Sequence, residues 1–192
     1  MADTRAIEAV CNAVVDVLRD SYDPAQLDQD LEFRVYTASN FPQHMTAGVS
    51  LFLYRIFVDG SHRIPGGRRL PGGGRADAQL PLDLHFLLTT WGKDASTQYS
   101  IAGWMMRALD DTPVLPSGLL NRRTPSVFRD DEAVEIVAGE IATEDLMRLW
   151  ELIGPGSYQL SVPYVARNVW IESKQLEPGG ALVQERDFRV ES

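Results

Sequence analysis

Apolar residues recur at three- and four-residue spacing in three parts of the chain, which is the spacing of one helix face. Residues 4–20 are therefore predicted to form an amphipathic helix. A second helix is predicted over about 95–110, and a third begins at Thr143 and ends before Gly154. The predicted buried faces hold Ile7, Val10, Cys11, Val14, Val17 and Leu18 in the first helix, Ile101, Trp104, Met105, Ala108 and Leu109 in the second, and Leu146, Leu149, Trp150 and Ile153 in the third.

Two long stretches carry the signature of β-strands. Val49–Val58 is a nearly continuous β-prone run, and a strand that is apolar on both faces is normally central and covered on both sides. In Leu80–Thr90, leucine and phenylalanine alternate with other residues, and Asp83 and His85 lie on the more polar face. The sequence therefore predicts two neighbouring strands joined by a loop of about twenty residues, too long for a tight hairpin.

The remaining strands are shorter or interrupted. Tyr158–Ile171 is predicted as a long strand in which Pro163 cannot donate a backbone hydrogen bond, which favours a sheet edge or a bulge at that point. Residues 111–130 hold three prolines and show no clear period, so they are predicted to be an irregular crossing segment. Short strands are predicted at Glu32–Tyr36 and Glu132–Val137.

The order of these elements predicts an α+β fold, with a mixed, mostly antiparallel sheet flanked by helices. Residues 1–176 are expected to form one domain that carries an inserted Gly/Arg-rich loop at 60–79. Residues 177–192 are expected to form a C-terminal extended arm, because a Pro-Gly-Gly break precedes a short stretch of apolar residues separated by charges. The apolar residues of the arm are Leu182, Val183, Phe188 and Val190.

Composition and charge narrow the functional classes. The chain has 192 residues, of which 44% are apolar, and its net charge of −9 disfavours general binding to nucleic acid or to anionic membranes. No apolar run approaches the roughly 18 residues that a membrane-spanning helix needs, and the first residues have no apolar signal-peptide region. The single cysteine, Cys11, cannot form an intrachain disulfide, which favours synthesis and folding in a reducing cytoplasm.

The loop at 60–79 concentrates positive charge in an acidic protein. It holds six glycines, two prolines and one acid, Asp77. Glycine-rich loops can bind phosphate, but this loop lacks the Gly-Lys-Ser/Thr sequence that ends such a motif, and a predicted strand follows it instead of a helix. An exposed loop that binds acidic surfaces is the favoured interpretation. Its four arginines are the interface candidates Arg63, Arg68, Arg69 and Arg75.

The sequence contains one weak candidate pair of catalytic residues. Asp83 and His85 could share a proton or a metal ion, but a metal needs a third ligand, and His44 and His62 lie in unrelated loop-like contexts. No Gly-x-Ser-x-Gly elbow is present, and Cys11 lies in the apolar stripe of the first helix. We therefore expect no catalytic residues, no cofactor and no metal site.

Four sequence blocks, taken in order and spacing, resemble a known family. The blocks are Gly48-Val49-Ser50-Leu51-Phe52-Leu53-Tyr54-Arg55-Ile56, Leu80-Pro81-Leu82-Asp83-Leu84-His85-Phe86-Leu87-Leu88-Thr89, Ala108-Leu109-Asp110-Asp111-Thr112-Pro113-Val114-Leu115 and Tyr158-Gln159-Leu160-Ser161-Val162-Pro163-Tyr164-Val165-Ala166-Arg167. They resemble the N-terminal domain of the tube-terminating cap protein of extracellular contractile injection systems, the phage-tail-like particles of bacteria. The resemblance covers about residues 3–172.

This resemblance implies a phage tail-terminator fold and a structural, non-enzymatic role. It implies a ring of six subunits at the particle end opposite the baseplate, which ends inner-tube growth and anchors the last sheath ring. The implied partners are further copies of the chain, the inner tube protein and the sheath protein, with no nucleic acid and no membrane insertion. Synthesis and assembly are expected in the cytoplasm, in a particle that is released or membrane-anchored.

Two other functions remain open from the sequence. The first is a non-enzymatic adaptor that binds an acidic partner through the arginine loop at 60–79. The second is an enzyme centred on Asp83 and His85. For the arm at 177–192, the alternative to an assembly contact is a frayed chain end.

Overall fold

The computed structural model describes residues 2–26, 29–43, 45–61 and 78–173. The three predicted helices are present, and their bounds differ from the prediction by one or two residues at most. A short fourth helix lies within the segment predicted to be irregular. The helices are α1 (Ala6–Ser21), α2 (Ala95–Asp111), α3 (Ser117–Leu120) and α4 (Thr143–Ile153), and two 3-10 turns lie at Pro24–Gln26 and Ala38–Gln43.

Within the described ranges, the strands form one six-stranded sheet in the order β1-β2-β3-β6-β5-β4. β1 runs parallel to β2, and every other neighbouring pair is antiparallel, which confirms the predicted mixed, mostly antiparallel α+β fold. The strands are β1 (Glu32–Tyr36), β2 (Gly48–Val58), β3 (Gln79–Trp91), β4 (Val114–Pro116), β5 (Ala133–Ala138) and β6 (Ser161–Glu172).

Apolar side chains cover the sheet on both faces. Alternate residues of β3, such as Leu84 and Phe86, pack in one buried cluster with α1 and α2. The opposite face carries Trp91, which packs with Trp150 of α4 and with Phe41 of the second 3-10 turn. Because successive side chains of a strand point to opposite faces, the helices α1 and α2 lie on one face and α4 lies on the other.

The segment at 111–130 is more regular than its sequence suggests. It contains β4, which pairs with β5, and the short helix α3. The Asn121 side chain holds the turn after α3, since its Nδ2 donates to the Phe128 carbonyl over 2.9 Å and its Oδ1 accepts from the N–H groups of Val127 and Phe128. The order of this segment therefore comes from a polar side chain together with buried apolar residues that have no helix or strand spacing, namely Leu115, Leu120, Val127 and Phe128.

A buried carboxylate ties this segment to α1. Asp16 is buried, and its two oxygens accept from Nε of Arg123 over 2.8 Å and from the second nitrogen of the same guanidinium, while Arg19 donates to it as well. Burial alone would raise the pKa of Asp16, but the hydrogen bonds and charges of Arg123 and Arg19 outweigh it and leave that pKa below its ordinary value.

The prediction for β2 was wrong in part, and the prediction for Pro163 is confirmed. β2 is buried only in its first half, and its residues from Arg55 to Val58 are exposed because β1 ends opposite Phe52. β6 lies between β3 and β5 and is not an edge strand, but β5 pairs with it only as far as Tyr164, so Pro163 lies where β6 has a local edge, as predicted. The Pro163 carbonyl accepts from the Gly139 N–H over 2.9 Å just where β5 ends. The N–H that proline lacks would therefore face a side on which β5 no longer pairs with β6.

Candidate assembly surfaces

The eight interface residues predicted from the sequence lie outside the described residues. They are Arg63, Arg68, Arg69 and Arg75 of the loop and Leu182, Val183, Phe188 and Val190 of the arm. The structure gives the positions from which both segments depart. Their roles therefore stay predictions, but their attachment to the sheet is defined.

The loop and the arm depart from the same end of the sheet. β2 ends at Val58, and the next N–H, of Asp59, donates to the Pro81 carbonyl over 3.1 Å. β6 ends at Glu172, and the N–H of Ser173 donates to the Ala78 carbonyl over 2.9 Å. We call this region, formed by 58–61, 78–79 and 172–173, the loop end of the sheet.

A polar contact closes the loop end between β3 and β6. Gln79 lies opposite Glu172 in the strand register, and its side-chain amide donates to the Glu172 carboxylate over 2.9 Å. Arg129 reaches the same carboxylate oxygen over 3.3 Å from the turn before β5. Both departing segments thus start from an anchored backbone.

Three consecutive apolar residues are exposed beside the loop end. Ile56, Phe57 and Val58 of β2 expose 45%, 47% and 41% of their surface. The guanidinium of Arg55 lies over the Phe57 ring at 5.3 Å from its centroid. Ile56 and Val58 lie on one face of the strand and Phe57 on the other, and exposed apolar residues grouped in this way commonly mark contact surfaces in a soluble protein. The exposure of these residues was not predicted, because the whole strand was expected to be covered.

A second apolar surface lies on α2. Tyr99 is 65% exposed and Met106 is 46% exposed, and the two residues lie seven positions apart on the same side of the helix. Gly103 lies between them, and the space above its Cα is open among the described residues. The signal available in the sequence was the occurrence of large apolar residues outside the predicted buried stripe.

A polar depression of about 390 Å³ lies between β2, β3 and the start of α4. Its lining includes Tyr54, Arg55, His85, Glu140 and Asp145. Burial and the positive charge of Arg55 lower the pKa of His85, so this imidazole is neutral at pH 7. Opposite charges thus face a shallow space that is open to solvent.

The pair Asp83 and His85 lies on one face of β3 and is partly exposed, as the alternation predicts. His85 faces the depression, whereas Asp83 lies opposite Phe57 in the strand register. Within the described ranges, no group of three His, Cys, Asp or Glu side chains is placed to hold a metal ion. Among the same residues, no helix is long and apolar enough to span a membrane.

Cys11 is a core residue, as predicted from its place in the apolar stripe. It is buried in α1, and burial raises the pKa of its thiol to about 12. The thiol is therefore protonated at neutral pH and lacks the thiolate form that reacts.

Comparison with known proteins gives the family and the fold. The profile of the Pvc16 N-terminal domain matches residues 9–185. No curated protein sequence is significantly similar to the chain. Similar solved structures include the sheath/tube terminator of an extracellular contractile injection system, PVC, in its extended state, with a TM-score of 0.63 and 19% identity over 100% of this chain. The tube-terminating cap of the anti-feeding prophage aligns over 94% of the chain with a TM-score of 0.59 and 17% identity.

The two similar structures are longer than this chain. The aligned region spans 65% of the PVC terminator and 60% of the anti-feeding prophage cap. Their TM-scores show a shared fold, which is the tail-terminator fold that the four sequence blocks imply. The family profile covers most of the chain, from α1 through β6, and on this ground the chain belongs to the Pvc16 N-terminal domain family.

Proposed function

We propose that this chain is a tail terminator of a contractile injection particle, where it ends growth of the inner tube and holds the last sheath ring. The family match over residues 9–185 is the observation that carries the proposal. The similar structures, a sheath/tube terminator and a tube-terminating cap, support it through their shared fold. Such a role is structural and requires no chemical step by the protein.

The proposed working form is a ring of six copies. A closed ring needs a heterologous interface, in which two different patches of each copy meet. The chain offers two such patches, the exposed ring of Phe57 on β2 and the exposed face of α2 with Tyr99 and Met106. These patches support ring formation because both carry apolar area that the fold itself leaves in contact with water.

The proposed contacts with tube and sheath use the segments that depart from the loop end. The loop holds four arginines in a chain with a net charge of −9, so it is suited to acidic surfaces of the tube protein or of a neighbouring copy. The arm is suited to a contact across a subunit boundary, on the next cap subunit or on the sheath. Under this proposal the chain is synthesised in the cytoplasm and joins the particle there.

An end-binding experiment tests this proposal. Purified inner tubes of the same particle would be mixed with the chain carrying a gold label and viewed by electron microscopy. The proposal predicts label at one end of each tube, with sixfold symmetry in averaged end views. Label spread along the tube walls, or absent from the ends at saturating protein, would contradict it.

A further inference from the structure

One half of β2 lacks a neighbour on its outer side among the described residues. β1 pairs with β2 only from Gly48 to Phe52, whereas β2 continues to Val58. On its inner side, β2 pairs with β3 along its whole length apart from a bulge at Tyr54. The stretch 53–58 is therefore a sheet edge, which we call the β2 edge.

The backbone of the β2 edge presents hydrogen-bonding groups outward. The N–H of Asp59 points at β3, since it donates to the Pro81 carbonyl. Backbone groups of successive residues alternate between the two sides of a strand, so Phe57 also points at β3, and Ile56 and Val58 point away from it. The outward N–H and C=O groups of Ile56 and Val58 form a template for one more strand.

The side chains of the β2 edge favour pairing. Natural edges are protected by lysine, proline or inward charges, but Arg55 is the one charged residue in this stretch. Ile56 and Val58 lie opposite Leu84 and Leu82, which are buried in the main core. An added strand with apolar residues on that face would extend the core over two half-exposed side chains.

We infer that the C-terminal segment of this chain, within 180–192, pairs with the β2 edge as an antiparallel seventh strand. The chain leaves β6 at Ser173, at the same end of the sheet where β2 ends. From there it must run back along the β2 edge in the direction opposite to β2, which gives antiparallel pairing. The edge is then closed by a segment of the protein itself.

The length of the segment suffices for this path. Passing from β6 across β3 and β2 to the outer edge covers three strand spacings, or about 14 Å. Residues 174–179 alone span about 20 Å when extended, at roughly 3.3 Å per residue. Thirteen residues remain after Gly179, and the β2 edge has room for six.

The sequence of the segment fits the two faces of the edge. Phe188 and Val190 are two residues apart, so in a strand they share one face, and Arg189 and Glu191 share the other. With Phe188 and Val190 beside Ile56 and Val58, the acidic Glu191 lies on the same face as Arg55. The loop at 62–77 is a poorer occupant, because its glycines and prolines disfavour strand formation. This pairing is independent of whether the chain caps a tube.

Amide hydrogen exchange on the full chain, read residue by residue by NMR, tests the inference. The outward amides of Ile56 and Val58 should exchange at least about tenfold more slowly in the parent than in the double variant Phe188→Asp/Val190→Asp, since the hydrogen-bonded state protects an amide. The inward amide of Phe57 is the internal control and should be equally protected in both proteins. Because the path runs within one chain, the difference should not depend on protein concentration, and a difference that grows with concentration would show pairing between copies and overturn the path described.

Two further outcomes would overturn the inference. If the Ile56 and Val58 amides exchange as fast in the parent as in the variant, the edge is open. If they are slow in both proteins, something other than the C-terminal segment covers it. A second variant, Val58→Pro, removes an outward N–H without touching the ladder with β3. It should release the C-terminal amides from protection at an unchanged melting temperature, and retained protection there would also refute the pairing.

Discussion

The N–H of Ser173 donates to the carbonyl of Ala78 over 2.9 Å, across 95 residues of sequence. This bond places the start of the C-terminal segment beside the point where the arginine loop returns to the sheet. Two segments that are remote in sequence therefore leave the sheet at neighbouring points. The sequence predicted both segments as interface elements but gave no reason to place them together.

Truncation after Glu177 should separate folding from assembly. All described helices and strands end by Glu172, so the shortened chain should keep its melting temperature within a few degrees. It should fail to form rings or to retain sheath, because the proposed arm is missing. Circular dichroism melting and electron microscopy measure the two effects. Intact rings and sheath attachment in the truncated protein would show that the segment makes no assembly contact.

Replacement of Arg63, Arg68, Arg69 and Arg75 together by serine should weaken assembly without altering the fold. Each exposed ion pair contributes only about 0–1 kcal/mol, so single replacements should have small effects. The loss should be larger at low salt, where charges are least screened. Sedimentation of assembled particles over a salt series measures it. The matched control replaces the same arginines by lysine, which keeps the charge. Full assembly of the serine variant at low salt would remove the loop from the mechanism.

Asp16→Asn should destabilise the protein in a pH-dependent way. At pH 7 the loss of the charge-assisted bonds to Arg123 and Arg19 should cost about 1–3 kcal/mol in the free energy of unfolding. Because folding lowers the pKa of Asp16, its contribution is complete above the pKa of the unfolded chain, near 3.9, and is lost as pH falls through the folded value. Urea unfolding from pH 7 to pH 2 measures the difference between parent and variant, which should shrink towards the acid end.

Asp20→Asn is the control for this prediction. Asp20 pairs with Arg122 in the same pair of segments, but both side chains are about half exposed. Its loss should cost less than about 1 kcal/mol. Equal effects of the two variants, or a gap between parent and Asp16→Asn that widens with acid, would contradict the role assigned to Asp16.

Two glycine-to-alanine variants should have opposite effects on stability. Gly48 begins β2 with φ +149°, and a Cβ there would lie 2.0 Å from the Glu32 carbonyl oxygen, so Gly48→Ala should strongly lower the melting temperature. Gly103 lies in α2, where a Cβ would meet no described atom within 4 Å, so Gly103→Ala should stabilise by about 0.5–1 kcal/mol. Thermal unfolding of both variants checks this, and a Gly48→Ala protein as stable as the parent would refute the packing described at the start of β2.

The parts of the fold that follow from local patterns were predictable. The helix α1 and the strand β1 stand where apolar spacing and β propensity predict them, and the alternation in β3 gave its buried face. The sequence of a strand does not specify how far its neighbouring strands extend. The second half of β2 was therefore predicted to be covered, although β1 stops before it. Helix α3 and its turn were missed because the side chain of Asn121 and irregularly spaced core residues such as Leu120, rather than a periodic apolar face, hold them.

Candidate surfaces were harder to predict than the fold. The predicted interface residues were chosen for charge and apolar content, and both segments depart from the loop end of the sheet. The exposed residues Ile56, Phe57 and Val58 belong to a strand whose sequence indicates a core element. Only the register, in which β1 stops at Phe52, shows that they lie at an edge. Whether these β2 residues are exposed depends on which strands pair with β2, and those strands can be distant in the chain.

The length distribution of particles assembled with and without this protein tests its role as a tube terminator most directly. Particles from a deletion strain and from the same strain complemented with the gene would be purified and measured by electron microscopy. The proposed function predicts uniform lengths with the protein, and tubes or sheaths of uncontrolled length or with unstable ends without it. Particles of normal, uniform length and stable ends in the deletion strain would contradict the assignment.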